Sequence, residues 1–255
     1  MPSDRRMVDL HAHARRLAQH FRVLKPEGPG PFPVCLQLHG CGGLFPMQQA
    51  YAEAARGAGV AAVIVDSYGP RGIGGLQARA TICTGARLRG AERSIDLLAA
   101  IEWLKLQAWA DQGRIAAAGW SHGAWAIMEA LAGTRAEARV RPPPLKAAIL
   151  FYPYCGPLAR TAAHGWGENR PRVYACIGGR DVVVGRWRIE QALHRLRRDG
   201  LSVRSLMLED ADHGFDEADA GAWRGRFRPD LADAARAFYV EALTESLVAD
   251  EGAVH

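Results

Sequence analysis

The chain has 255 residues, 49% of them apolar and 23% charged, and it carries a net charge of +5. That length suits one large α/β domain, and the composition is that of a globular protein, so disordered and fibrous classes are excluded. The basic excess comes from scattered arginines, with Lys25, Lys105 and Lys146 the only lysines, and without a basic run or patch no nucleic-acid partner is expected.

Taken in chain order, the opening "MPSDRRMVDLHAHARR" is charged with no apolar segment behind it, so no secretory signal is expected. No apolar stretch approaches the ~20 residues of a membrane span. A soluble, cytoplasmic protein without a membrane partner is the expectation. His11 and His13 form an H-x-H pair with no further ligands in sight and read as solvated sequence. "HFRVLKPEG" reads as an antiparallel edge strand, and "PEGPGPFP" as a turn. "VCLQL" from Val34 is then a strand, followed by the glycine-rich "HGCGG" and a helical "MQQAYAEAARGAG".

The alternation continues. "VAAVIVD" from Val60 is a strand, and the long, glycine-rich "DSYGPRGIGGLQARATICTGARLRG" is a loop that should border a site. The helical "AERSIDLLAAIEWLKLQ" leads to the strand "RIAAAG" and the helix "SHGAWAIMEALAG". Beyond the "RPPP" turn come a strand over 145–152, the irregular "TAAHGWGENR" and the strand "RVYACI". A helix follows from Arg186 to Asp199, its arginines forming a solvated face. "LSVRSLML" is the last strand, and a helix from Asp230 to Leu247 closes the chain. Apolar, unalternating strands separated by helices predict a mostly parallel, doubly wound sheet covered on both faces. One domain spans 1–255, with its core at about 20–248. In such sheets ligands collect beyond the carboxyl ends of the strands, so the residues that follow each strand carry the interest.

"GWSHG" at 119–123 lies at such a point. The bare G-x-S-x-G pattern would match about one chain of this length in ten by chance, but here a strand ends and a helix begins at Ser121. That is the setting of a nucleophile elbow, whose sharp turn crowds the residues two positions either side and calls for glycine there. The bland alternative, that Ser121 merely caps the helix, explains neither Gly119 nor Gly123. A serine hydroxyl needs a base oriented by an acid. His213, in "EDADHGFD" after the last strand, and Asp181, in "GGRD" after the preceding one, supply the order Ser, Asp, His.

His122 is a poor base, because consecutive residues entering a helix diverge by about 100°. His194 reads as a surface or packing residue on a helix, and His164 as a possible pocket residue. Glu209, Asp210, Asp212 and Asp216 crowd His213 in sequence, yet a loop from another strand is the more natural orienter. The oxyanion formed on attack needs two N–H donors: the backbone of His122, and that of Cys41 in "HGCGG". Five cysteines without a C-x-x-C pair predict neither a disulfide framework nor a zinc site, and Cys41 itself reads as an inert thiol.

"LHGCGGL", "VDSYGPRG", "GWSHGAW", "FYPYCG", "GGRD" and "DHGFD" follow one another in the order of the dienelactone hydrolase family of α/β-hydrolases, which the chain resembles from about residue 20 to its end. The resemblance implies an α/β-hydrolase fold without a large lid domain and a triad of Ser121, Asp181 and His213. It also implies no metal or cofactor, and hydrolysis of small ester or lactone substrates. The namesake enzymes use cysteine where this chain has Ser121, which favours a serine esterase over a dienelactone-specific enzyme. Arg71 is a candidate receptor for a substrate carboxylate, or else a tie within its own loop. Trp120, Trp125, Tyr154, Trp166 and Phe215 are candidate pocket walls. A peptidase or acyltransferase on the same fold is the nearest alternative, and a catalytically silent binding protein a more distant one.

Overall fold

The computed structural model describes residues 9–132, 144–159, 162–163, 166–167, 169–218 and 225–249. His164 therefore lies outside the described residues.

Seven strands form one sheet: β1 (Arg22–Leu24), β2 (Phe32–Leu38), β3 (Ala61–Val65), β4 (Ala110–Trp120), β5 (Ala147–Phe151), β6 (Arg172–Gly178) and β7 (Val203–Leu208). Their order is β1-β3-β2-β4-β5-β6-β7. Only β1 runs antiparallel, paired to β3. From β2 the chain steps to β3 on one side and later to β4 on the other. The crevice between the ends of β2 and β4 is thus the switch point at which such sheets gather ligands.

The helices are α1 (Leu10–Ala18), α2 (Pro46–Gly57), α3 (Gly75–Thr81), α4 (Gly90–Leu104), α5 (His122–Leu131), α6 (Arg186–Arg198) and α7 (Pro229–Leu243). The strands are apolar throughout because both faces of the sheet are covered. Val34, Leu36, Leu38 and Ala117 pack with α4, α5 and α6. Their alternate neighbours Cys35, Ala116, Ala118 and Trp120 pack with α2 and α7. All ten residues of α5 are buried, on the face to which β4 presents the small Ala117.

The first helix was not expected. Asp9 caps it by accepting from the Ala12 N–H, and Leu10, Ala14 and Leu17 repeat at helical spacing against α4. His13, read above as solvated, is instead drawn in, with its Nε2 2.7 Å from Asp96 Oδ1. His11 stays outside with a side chain 70% exposed. The long loop after β3 is also more ordered than its glycines suggest, since it carries α3 and a short 3-10 turn over Gly69–Arg71.

Candidate active site

Ser121 stands between β4 and α5 with φ 50° and ψ −107°, a strained backbone for any residue but glycine. Ladder contacts impose it. Ser121 N–H donates to the Phe151 carbonyl, and its own carbonyl receives the N–H groups of Trp125 and Tyr154. A Cβ on Gly119 would lie 2.5 Å from Ala124 N, and one on Gly123 would lie 2.0 Å from the Leu38 carbonyl oxygen. Both glycines are therefore required by close approach. The side chain of Ser121 makes no capping bond to the helix, so its role is not that of an N-cap.

Instead, Ser121 Oγ lies 2.9 Å from His213 Nε2, and His213 Nδ1 lies 2.8 Å from Asp181 Oδ2. A carboxylate can only accept, so Nδ1 carries the proton and Nε2 is left to accept from the serine hydroxyl. The other oxygen of Asp181 receives the N–H groups of Val183 and Val184, each at 2.9 Å. Burial works to raise the Asp181 carboxyl, but the hydrogen bond to His213, the electrostatic attraction between the two groups and these two N–H donors outweigh it and hold the carboxyl below its ordinary value. Of the acidic residues near His213 in sequence, Asp216 turns away and accepts from Tyr51 Oη at 2.9 Å and Tyr152 Oη at 2.6 Å. Burial pushes its carboxyl above the usual range, against the pull of those two hydroxyls. The Tyr152 ring meets that of His213 edge-on, with centroids 4.9 Å apart.

A cavity of about 160 Å³ opens over Ser121 and His213. Cys41, Cys83, His122, Trp125, Tyr154 and Leu158 contribute to its wall. Both segments proposed to hold an oxyanion, those of Cys41 and His122, thus border the cavity that Ser121 lines. His122 is not aimed at the serine, because its Nδ1 lies 3.2 Å from Arg93 Nη1. Arg93 also donates to the His39 carbonyl at 2.7 Å and to Ser67 Oγ at 2.9 Å. Burial first, and then the charge of Arg93, hold the His39 imidazole well below its ordinary pKa. That neutral ring sits with Nδ1 2.7 Å from the Gly40 carbonyl and Nε2 3.3 Å from Ser67 N.

Cys41 is not a free thiol: it forms a disulfide with Cys83, with Cα atoms 5.1 Å apart. An even or odd cysteine count carries no information on such a pair, and only the folding back of the loop after β3 brings the two together. Of the free thiols, burial pushes Cys35 and Cys155 up to about 12, so neither is a rival nucleophile.

Of the five aromatic candidates, Trp125 and Tyr154 line the cavity. Trp120 does not. It shares the parity of Ala116 and Ala118, points to the opposite face, and stacks on Phe151 with centroids 5.0 Å apart. Phe215 is buried on that same face. Trp166 is buried in the other core layer, where its Nε1 donates to the Ala162 carbonyl. Arg71 ties its own loop to α4, forking onto Asp96 at 2.9 and 2.8 Å and donating to the Ser67 carbonyl. His194 is exposed on α6. Ile82, Thr84, Gly85 and Val183 also reach the cavity wall. Residues 82–85 belong to the long loop expected at the site, whereas Val183 had only its nearness to Asp181 as a signal.

Among the described residues, no group of three or more His, Cys, Asp or Glu side chains could hold a metal ion. No helix among them is long and apolar enough to cross a membrane.

The family model described as "Dienelactone hydrolase family" matches residues 21–245. No curated protein matches the chain. Among solved structures, a dienelactone hydrolase-like promiscuous phosphotriesterase from metagenomic libraries is similar at 23% identity, over 89% of this chain and 92% of that one, with a TM-score of 0.73. Thermogutta terrifontis esterase 2, phosphorylated by paraoxon, is similar at 20% identity over 89% and 90% of the two chains, with a TM-score of 0.68. A dienelactone hydrolase from Anabaena variabilis is similar at 20% identity over 89% and 91%, with a TM-score of 0.61.

Proposed function

The chain belongs to the dienelactone hydrolase family and is a hydrolase acting on esters, and from that premise we propose that it cleaves small carboxylic esters or lactones through an acyl-serine at Ser121. The observation that carries this reading is the chain of contacts at the elbow, with Oγ 2.9 Å from His213 Nε2 and Nδ1 2.8 Å from Asp181. His213 takes the hydroxyl proton as Oγ attacks the carbonyl carbon. The negative charge that gathers on the carbonyl oxygen is held by the backbone N–H groups of His122 and Cys41. Asp181 keeps the imidazole in the required tautomer and stabilises the imidazolium. The proton on Nε2 then passes to the departing alkoxide, and water repeats the sequence on the acyl-enzyme to release the acid.

The cavity favours small substrates. Its 160 Å³ is below the usual range of about 300 to 1,000 Å³ for drug-sized ligands. Ile82, Trp125, Leu158 and Val183 give its wall an apolar character that suits short acyl or aryl groups. Arg71, committed to Asp96, is not available to a substrate carboxylate, which argues for neutral esters.

Two of the similar structures are an esterase phosphorylated by paraoxon and a promiscuous phosphotriesterase, so an organophosphate is a fitting titrant of Ser121. A fluorophosphonate should label the native chain and not Ser121→Ala. Short-chain aryl esters should be turned over by the native chain and not by Ser121→Ala or His213→Ala. Labelling that persists without Ser121 defeats the assignment. A labelled chain that cleaves amides but no ester is a peptidase instead, and one that passes its acyl group to alcohols in preference to water is an acyltransferase.

A further inference from the structure

Arg93 lies in the first turn of α4 with its side chain wholly buried. Its three hydrogen-bond partners belong to the segments that follow three adjacent strands: His39 after β2, Ser67 after β3 and His122 after β4. Its Nη2 is buried with no acceptor among the described residues. The carboxylate one turn along the helix, Asp96, is taken by Arg71 and His13. With no carboxylate in direct contact among the described residues, a guanidinium withdrawn from water is a costly arrangement, and its position suggests what it does.

The His39 carbonyl that accepts from Nη1 stands just ahead of Gly40 and Cys41. The neutral His39 ring in turn braces the Gly40 carbonyl. His122, whose imidazole meets the same Nη1, carries the second proposed donor on its own backbone. One rigid, planar cation thus links the two segments that supply the two N–H groups, and it places a positive charge behind them. Such a charge is worth most where an anion develops in a water-poor cavity.

We infer that Arg93 is a positioning residue of the oxyanion hole: it sets the spacing of the Cys41 and His122 N–H groups, and its charge stabilises the tetrahedral oxyanion. This rests on the acyl-serine reading above. Lysine offers no planar fork and cannot span the same acceptors, and methionine removes both charge and donors.

The test compares the native chain with Arg93→Met and Arg93→Lys for kcat and KM on an aryl ester, for inhibition by a simple arylboronic acid, and for melting temperature. A boronic acid that adds to Ser121 carries the tetrahedral charge of the transition state. Arg93→Met should lose about 10²- to 10³-fold in kcat with KM nearly unchanged, and boronate affinity should fall in parallel. Arg93→Lys should recover part of both. A folded Arg93→Met with native kcat overturns the inference, as does a fall in kcat with boronate affinity intact. If Arg93→Met does not fold, Arg93→Lys alone decides by the same two readouts. Ester turnover or labelling that survives Ser121→Ala would instead indict the acyl-serine reading, so the two failures are distinguishable.

Discussion

Cys41 and Cys83, 42 residues apart in sequence, are joined by a disulfide in the wall of the cavity above Ser121. One end of the bond sits in the segment proposed to hold the oxyanion, and the other in the loop after α3. A cross-link closing a loop of that length is worth about 4 kcal/mol in the chain-entropy account. Cys83→Ser, or treatment with a phosphine reductant, should lower the melting temperature and reduce ester turnover as the loop drifts from the serine. Thiol titration of the unreduced, unfolded chain supplies the check. It should find three thiols, those of Cys35, Cys155 and Cys176, and a count of all five cysteines would rule the bridge out.

Arg71 and Asp96 form a bidentate pair in which the carboxylate is fully buried and the guanidinium 20% exposed. Burial works to raise the Asp96 carboxyl, but the His13 hydrogen bond and Arg71 hold it below its ordinary value. Removing Arg71 leaves the buried carboxylate with His13 as its remaining partner, so Arg71→Ala should destabilise the fold by about 3 kcal/mol in urea unfolding. Its effect on KM should be the same for neutral and for carboxylate-bearing esters. A selective rise in KM for the anionic ester would restore Arg71 as a substrate receptor.

Asp181 has its folded-state carboxyl held below its ordinary value. A depressed carboxyl adds stability above its unfolded pKa of about 4, and that stability is lost as pH falls through the folded value. Asp181→Asn should therefore be less stable than the native chain at pH 7, with the gap narrowing below about pH 4. Its kcat should fall by about 10⁴-fold, because the amide no longer imposes the Nδ1–H tautomer. Denaturant unfolding at pH 7, 5 and 3.5 reads the first expectation, and a gap that widens in acid would contradict it.

Gly123 faces the Leu38 carbonyl so closely that alanine should cost about 3 kcal/mol or more or prevent folding. Gly57, at the end of α2 with nothing within 4 Å of an added Cβ, should accept alanine and gain about 0.5 to 1 kcal/mol. Melting temperatures of the two variants separate packing from a general intolerance of substitution.

Much of this architecture was legible before folding is considered. Strand and helix alternate because apolar runs bounded by turn residues report local backbone period. The order Ser121, Asp181, His213, each after a strand, followed from counting those runs. The elbow glycines were readable because strand and helix meet there within a few residues.

What the sequence could not convey is which distant group each side chain meets. Trp120 was a candidate wall until strand parity sent it to the opposite face. His13 read as solvated, and Arg71 stood open between a substrate carboxylate and a tie within its own loop, until both converged on Asp96. Arg93 has Leu97, Ala100 and Leu104 at helical spacing from it, which marks a core-facing arginine. Its partners His39, Ser67 and His122 become neighbours only when β3, β2 and β4 lie side by side. Local sequence sets period and turn, so it determined the strands, most of the helices and the strand ends on which the proposed site lies. Partner choice depends on strand order and on how loops fold back. The tertiary structure alone therefore decided which cysteines pair, which arginine pairs with Asp96, and which one bridges His39, Ser67 and His122.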